Sequence, residues 1–300
     1  MPHELFNRVA EVYVGTTGGN TLLSVSALRV TFDIKKTMTV MPNTAKIEIY
    51  NLSELTRNGI QDAKATVLIR AGYANDEGAQ DIFKGIAIRV AHERRPPDVV
   101  TTIEALDRVA LAGSPRVTLG YPGGTSAKRI LNDIVKQLGL SRKSTSVDVD
   151  DRTYKMGFST VGSAVDSLSR VCAYLGLSWS MQNQEIKFTP VAGHDNSGVI
   201  KITAATGMLN APVYVMNVAP PMDIATVGKL DIKRTLAGGM QAMKPGWRVK
   251  SLLRSSIEPK NRVVIESLDK AASGTFTVET VQHNGDTAGG DWSTTLEVYQ

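Results

Sequence analysis

Short runs of alternating apolar and polar residues constrain this chain more than any other feature. Leu28, Val30, Phe32 and Ile34 alternate with Arg29, Thr31, Asp33 and Lys35. Ala45, Ile47 and Ile49 alternate with Lys46, Glu48 and Tyr50. Val67, Ile69 and Ala71 follow, then Ile86, Ile88 and Val90, then residues 99–105. A period of two puts one set on a buried face and the other in water. Gly15, Gly18, Gly19, Pro42, Asn43, Gly72, Gly78, Pro96 and Pro97 punctuate the runs as turns. Many short strands at this spacing predict a small barrel or sandwich. Only residues 53–61 read as a short helix, with Ser53 as N-cap.

The middle of the chain changes period. Thr125 or Ser126 caps a helix reaching about Leu138, whose apolar stripe is Ile130, Leu131, Ile134, Val135 and Leu138. Gly139 ends it. A second helix is expected from near Thr160 to Leu175, with Ala164, Val165, Leu168, Val171, Cys172 and Leu175 on one stripe and Gly176 at its end. Trp179 and residues 186–188 predict a hairpin over residues 177–190, completing a compact α+β insert. Strands return after residue 193. The last two, residues 274–282 and 292–299, flank a polar stretch read as a turn at Asn284–Gly285, which makes them a closing hairpin. Residues 217–246 lack periodicity, apart from one short strand expected over 227–232. They carry Pro220, Pro221, Gly238, Gly239, Pro245, Met222, Met240 and Met243. A loop this long inside a domain is often functional. Two readings stay open: an arm that meets a partner through Pro221, Met222, Met240 and Met243, or an ordinary hairpin extension.

Composition narrows the function. The 300 residues allow two or three domains with their own cores. One cysteine, Cys172, rules out an intrachain disulfide framework. No apolar run reaches the roughly 20 residues of a membrane helix, and the N-terminus lacks a secretory pattern. A net charge of +5 does not argue for nucleic-acid binding. Residues 15–21 and 120–126 resemble phosphate loops faintly but lack the Lys-Ser/Thr ending, so they read as turns. His3, His92, His194 and His283 are not at metal-ligand spacing. A Gly-x-Ser-x-Gly elbow is absent. Cys172 reads as a buried, inert thiol. Asp148, Asp150 and Asp151 read as a solvated loop, because the Gly and Glu of a calcium loop are missing. His283, Asp286, Asp291 and Trp292 read as structural: turn residues, aspartates bonding their own backbone, and a packed indole. No catalytic, metal or cofactor site is expected.

The order of these pieces resembles one family. The closing hairpin follows residues 249–253 and 257–267, and in front of them come residues 43–53 and 82–90 with a strand ending in Glu104-Ala-Leu-Asp. Together they are similar to the tail hub proteins of phages and related contractile injection systems. The resemblance covers most of the chain outside the 217–246 insert, and its fold-motif positions are Asn51, Gly85, His283, Gly285, Asp286, Asp291 and Trp292. It implies a mainly β protein with two tube-protein-like β-barrel domains, residues 1–112 and 196–300, separated by an α+β domain with two helices at 113–195. It further implies a non-enzymatic homotrimer whose six barrels join a six-fold tail tube to a three-fold spike. Implied partners are the tail tube protein, central spike, tape-measure protein and baseplate wedge proteins, with DNA only in transit and no stable membrane insertion. The implied location is the tail baseplate of the virion, assembled in the host cytoplasm. Lys35 and Lys36 are candidates for the channel wall. A different class also remains: a cell-wall glycan-binding or lytic tail-tip module, with Tyr154, Phe158, Tyr174 and Trp179 as its available aromatics.

Overall fold

The computed structural model describes residues 7–15, 23–38, 42–60, 65–107, 115–143, 146, 148, 150–191, 194–195, 197–217 and 244–299. Pro221, Met222, Met240 and Met243, the strand expected over 227–232 and the glycine-rich loop after Gly15 lie outside them. The first unit comprises β1 (Arg8–Gly15), β2 (Leu23–Val25), β3 (Val30–Thr37), β4 (Thr44–Tyr50), helix α1 (Glu54–Gly59), β5 (Thr66–Tyr73), β6 (Gly78–Arg95) and β7 (Asp98–Leu106). Ser53 caps α1 by accepting from the Thr56 N–H. Antiparallel pairing gives the strand order β3-β4-β7-β6-β5-β1-β2. Alternation sets the inward face as expected in β3 and β4, where Val30, Phe32, Ile34, Ala45, Ile47 and Ile49 are buried. It misleads in β6. Phe83, Gly85 and Ala87 point inward there, while Ile88 is 50% exposed. The register of β6 against β7 slips between Ala87 and Arg89, and such a bulge moves the phase of the strand by one residue.

The middle unit contains β8 (Arg116–Tyr121), β9 (Thr125–Ser126), α2 (Ala127–Gln137), β10 (Ser141–Arg142), β11 (Thr153–Tyr154), β12 (Phe158–Ser163), α3 (Ala164–Leu175), β13 (Leu177–Gln182) and β14 (Glu185–Pro190). Ser126 and Ser163 cap the two helices by accepting from the Arg129 and Asp166 N–H groups. The second helix therefore starts later than the expected Thr160. Residues 158–163 are a strand paired with β8, and they spend their backbone groups there. Gly176, at φ 73°, ends α3 in the left-handed conformation that glycine tolerates. The β13–β14 hairpin turns at Asn183 and Gln184, both with positive φ.

The last unit is built from β15 (Ile200–Thr203), β16 (Val213–Asn217), β17 (Lys244–Leu252), β18 (Arg262–Glu266), β19 (Gly274–Asp286) and β20 (Trp292–Tyr299). Two separate barrels were expected; among the described strands no closed barrel forms. Instead one 13-stranded sheet runs through both β units, in the order β16-β17-β20-β19-β3-β4-β7-β6-β5-β1-β2, with β18 and β15 branching from β19. The cause lies in β19. Its first residues pair with β18 and its residues 280–286 pair with β3. A bulge between Val278 and Thr280 separates the two stretches and turns the strand from one partner to the next. Three apolar clusters result. One lies inside β1–β7 and takes in Leu253 and Trp292 from the last unit. The second draws only on residues 117–188, and the third on residues 202–298.

Candidate functional site

The motif residues gather mostly at the β19–β3 seam. Gly285, expected in a turn, is strand, opposite Trp292 of β20 and Phe32 of β3. The turn itself spans residues 287–290. A Cβ on Gly285 would lie 2.9 Å from Cε2 of Phe32, and nearer still to Cζ and Cε1. The ring occupies that space and meets Trp292 edge-on, 5.4 Å between centroids. Asp286 accepts from Arg29 with both oxygens, at 3.1 and 2.7 Å, and from the Ala288 N–H at 2.9 Å. Asp291 accepts from Lys250 Nζ at 2.8 Å, and its carbonyl takes the Asp286 N–H at 2.9 Å. His283 is fully buried with Nδ1 2.9 Å from Thr294 Oγ1. Away from the seam, Asn51 sits at φ 58°, donates to Asp98 Oδ1 at 2.8 Å and accepts from the Val99 N–H at 3.0 Å. Asparagine is among the few residues that tolerate this backbone region. At Gly85, a Cβ would press on the Leu106 carbonyl and the Phe83 ring.

Sequence reasoning missed the second feature, a buried charged junction where the three units meet. Glu258 lies in the loop between β17 and β18. Its carboxylate is 2.6 Å from Lys143 Nζ, 3.5 Å from Lys187 Nζ and 3.8 Å from Lys36 Nζ. Lys187 also pairs with Asp195 at 2.6 Å, both side chains wholly buried, and donates to the Pro259 carbonyl at 2.9 Å. Lys36 is fully buried on β3, so it cannot wall a channel; Lys35 remains exposed. The Lys36 ammonium is pushed down to about 8 by burial, against the pull of Glu258. Burial alone would raise the Glu258 carboxyl, but Lys36, Lys143 and Lys187 hold it at about 2. His283 is driven down to about 3 by burial and then by Lys36. It is therefore neutral at pH 7. The only sequence signal for this junction was Lys36, a charged residue in the same phase as the inward-facing Val30, Phe32 and Ile34 of β3.

The third feature is an open sheet edge. Among the described residues β16 pairs only with β17, and β2 only with β1. Val213, Tyr214 and Met216 of β16 are 58%, 54% and 53% exposed, and Leu209 just before it is 45% exposed. Tyr214 packs edge-on against Trp247. An exposed apolar edge strand is a template for another strand.

Among the described residues no group of three or more His, Cys, Asp or Glu is placed to hold a metal ion. Cys172 is buried, and burial pushes its thiol up to about 12. Asp151 accepts from Ser126 and the Lys128 N–H, and Asp148 pairs with Lys128. Phe158 and Trp179 belong to the middle core, and Tyr154 stacks on Tyr174. Among the described residues no helix is long and apolar enough to cross a membrane.

Over nearly its whole length the chain is similar in fold to proteins of phage tails. The chain is similar to the 43 kDa tail protein of prophage MuSo2 from Shewanella oneidensis, at TM-score 0.65 and 8% identity, covering 97% of this chain and 98% of that one. It is also similar to a tail protein from Neisseria meningitidis MC58, at TM-score 0.58 and 10% identity, covering 98% and 97%. A third likeness, TM-score 0.59 at 10% identity, covers 96% of this chain and 76% of E. coli c3393. That protein is a component of the type VI secretion system, with structural similarity to T4 tail proteins gp27 and gp5. Likeness at such identities shows the fold. In sequence, the family described as Baseplate hub gp41 matches residues 10–178, more than half of the chain, and the chain belongs to that family. No curated protein matches it in sequence.

Proposed function

We propose that this chain is a non-enzymatic hub subunit that trimerises into a pseudo-six-fold ring joining the hexameric tail tube to the trimeric spike. The observation that carries this reading is the single sheet spanning both β units and ending in open edges at β16 and β2. Two β units side by side in each of three chains supply six similar units. Pairing of one chain's edge with the next chain's would close the ring and cover the apolar β16 strand. Closure would come from assembly, in place of a barrel within each subunit. The ring would form part of the channel for tape-measure protein and DNA, with wedge proteins around it, assembled in the host cytoplasm. In keeping with this reading, the sequence divides at 112/113 and 195/196, and the seam residues Gly285, Asp286, Asp291 and Trp292 maintain the fold. The 218–243 segment springs from the tip of the β16–β17 hairpin, a position suited to an arm that reaches a neighbouring protein.

Light scattering on the purified protein, alone and with co-expressed spike, tests the proposal. Three chains of 32.3 kDa give about 97 kDa for a closed ring. A monomer under both conditions would refute it.

A further inference from the structure

The middle unit is attached to the sheet differently from the way the two β units are attached to each other. Leu253 and Trp292 carry the last unit into the first unit's apolar core, whereas neither core of the β units contains a residue of the middle unit. Polar bonds dominate where the middle unit docks. Asn43 Nδ2 donates to the Met181 carbonyl at 2.9 Å and to Gln182 Oε1 at 3.1 Å. Gln182 Nε2 donates to the Thr37 carbonyl at 3.0 Å. Lys260 Nζ lies 3.4 Å from the Pro190 and Val191 carbonyls. At the centre stands Glu258, facing three ammonium groups, one from the sheet and two from the middle unit, of which Lys187 is also paired with the buried Asp195. Beside it opens a polar cleft of about 810 Å³. The β5–β6 hairpin forms one wall, through Arg70, Glu77 and Lys84. Residues 183–185 of the middle unit form the other, and Lys143 and Glu258 line the cleft between them.

We propose that Glu258 pins an ionic latch holding the middle unit against the sheet, and that releasing the latch lets that unit swing as one body across the adjoining cleft. The unit has a complete apolar core of its own, so undocking exposes polar surface and no core. Water can replace the polar bonds that are lost. With the Glu258 charge removed, Lys187 keeps Asp195, but Lys36 and Lys143 lose the carboxylate between them and repel each other in a poorly solvated space, which separating the units relieves. Loss of one member of a buried pair shifts such an equilibrium by about a hundredfold or more. The latch does not depend on the ring reading, because all its members lie within one chain.

Spin labels at Lys84→Cys and Gln184→Cys, on opposite walls of the cleft, report the distance by pulsed electron paramagnetic resonance. Cys172 is buried and stays unlabelled. In the otherwise unaltered chain one narrow distance is expected. With Trp247 and Trp292 replaced by Phe, Glu258→Gln should add a second, longer distance while far-UV circular dichroism and Trp179 emission stay unchanged. Lys143→Gln, which breaks only the bond at the cleft wall, should add a smaller population at the same longer distance, and it serves if Glu258→Gln does not fold. An unchanged single distance in the folded variants would overturn the latch. So would a broadened distance accompanied by loss of the Trp179 signal, because the unit would then be unfolding instead of swinging.

Discussion

Gly285→Ala tests the seam that joins the two β units. The added Cβ would sit 2.9 Å from Cε2 of Phe32, and closer to two other ring atoms. Carbon atoms rest about 3.5–4.0 Å apart, so even the most distant of these three contacts overlaps by roughly 0.6 Å. The strand cannot withdraw, because residues 280–286 are hydrogen-bonded to β3 on one side and to β20 on the other. Phe32 must therefore rotate, giving up its edge-on contact with Trp292. Overpacking of this kind costs about 1–3 kcal/mol, and the lost aromatic pair about 0.5–1.5 kcal/mol. We expect a total near 2–4 kcal/mol. Trp179, Trp247 and Trp292 pack in three different apolar clusters, so a Trp179→Phe, Trp247→Phe background leaves Trp292 as the reporter of the seam during urea unfolding. In a Phe32→Ala background the ring is gone, and Gly285→Ala should cost less than about 0.5 kcal/mol, a strong coupling by the standard of double-mutant cycles. An equal cost in both backgrounds would refute the steric account.

The buried histidine predicts acid sensitivity. His283 titrates near 3 in the fold against 6.5 unperturbed, so the unfolded chain takes up a proton first as pH falls. Its contribution is complete above pH 6.5 and is lost progressively toward pH 3, reaching about 3 kcal/mol by pH 4.5; His283→Asn should flatten the curve in that window. Lys36 acts at the other end. Its folded value near 8 lies below the ordinary 10.5, so stability rises with pH between these values. Lys36→Met should thus raise the urea midpoint at pH 7 and lose that advantage by pH 10.5, and a lower midpoint at pH 7 would count against the burial cost assigned to Lys36. Asn51→Ala should cost about 1–2 kcal/mol for the left-handed backbone and the lost bonds to Asp98 and Val99. Asn51→Gly should cost less, and equal losses would show that the backbone conformation does not matter. Deleting residues 221–243 should leave the fold's thermal transition unchanged but impair particle assembly; normal particles would sink the arm.

Much of the local structure was legible. The apolar stripes of α2 and α3, their serine caps and Gly176 depend on residues a few positions apart, as do the alternating faces of β3 and β4. The failures came where a distant contact overrode the local pattern. Ile86 and Ile88 were assigned inward, but the buried phase of β6 runs through Phe83, Gly85 and Ala87, set by its irregular pairing with β5 and β7. Thr160 looked like a helix start until β8 claimed its strand. Asn284–Gly285 has the composition of a turn, yet it is strand because the ring of Phe32, over 250 residues earlier, needs the space above a glycine. Lys36 looked like a channel-wall residue although it keeps the inward phase of β3, since nothing within its own run reveals a carboxylate at position 258.

The sequence alone determined the classes of element, their order along the chain and the resemblance to the hub family, because periodicity, caps and turns are written in neighbouring residues. Tertiary structure decided the rest: that β19 changes partner at a bulge to fuse two β units into one sheet, which edges stay open, and that Glu258 gathers lysines from two other units. Those outcomes depend on long-range pairing and on burial, and a linear pattern carries neither.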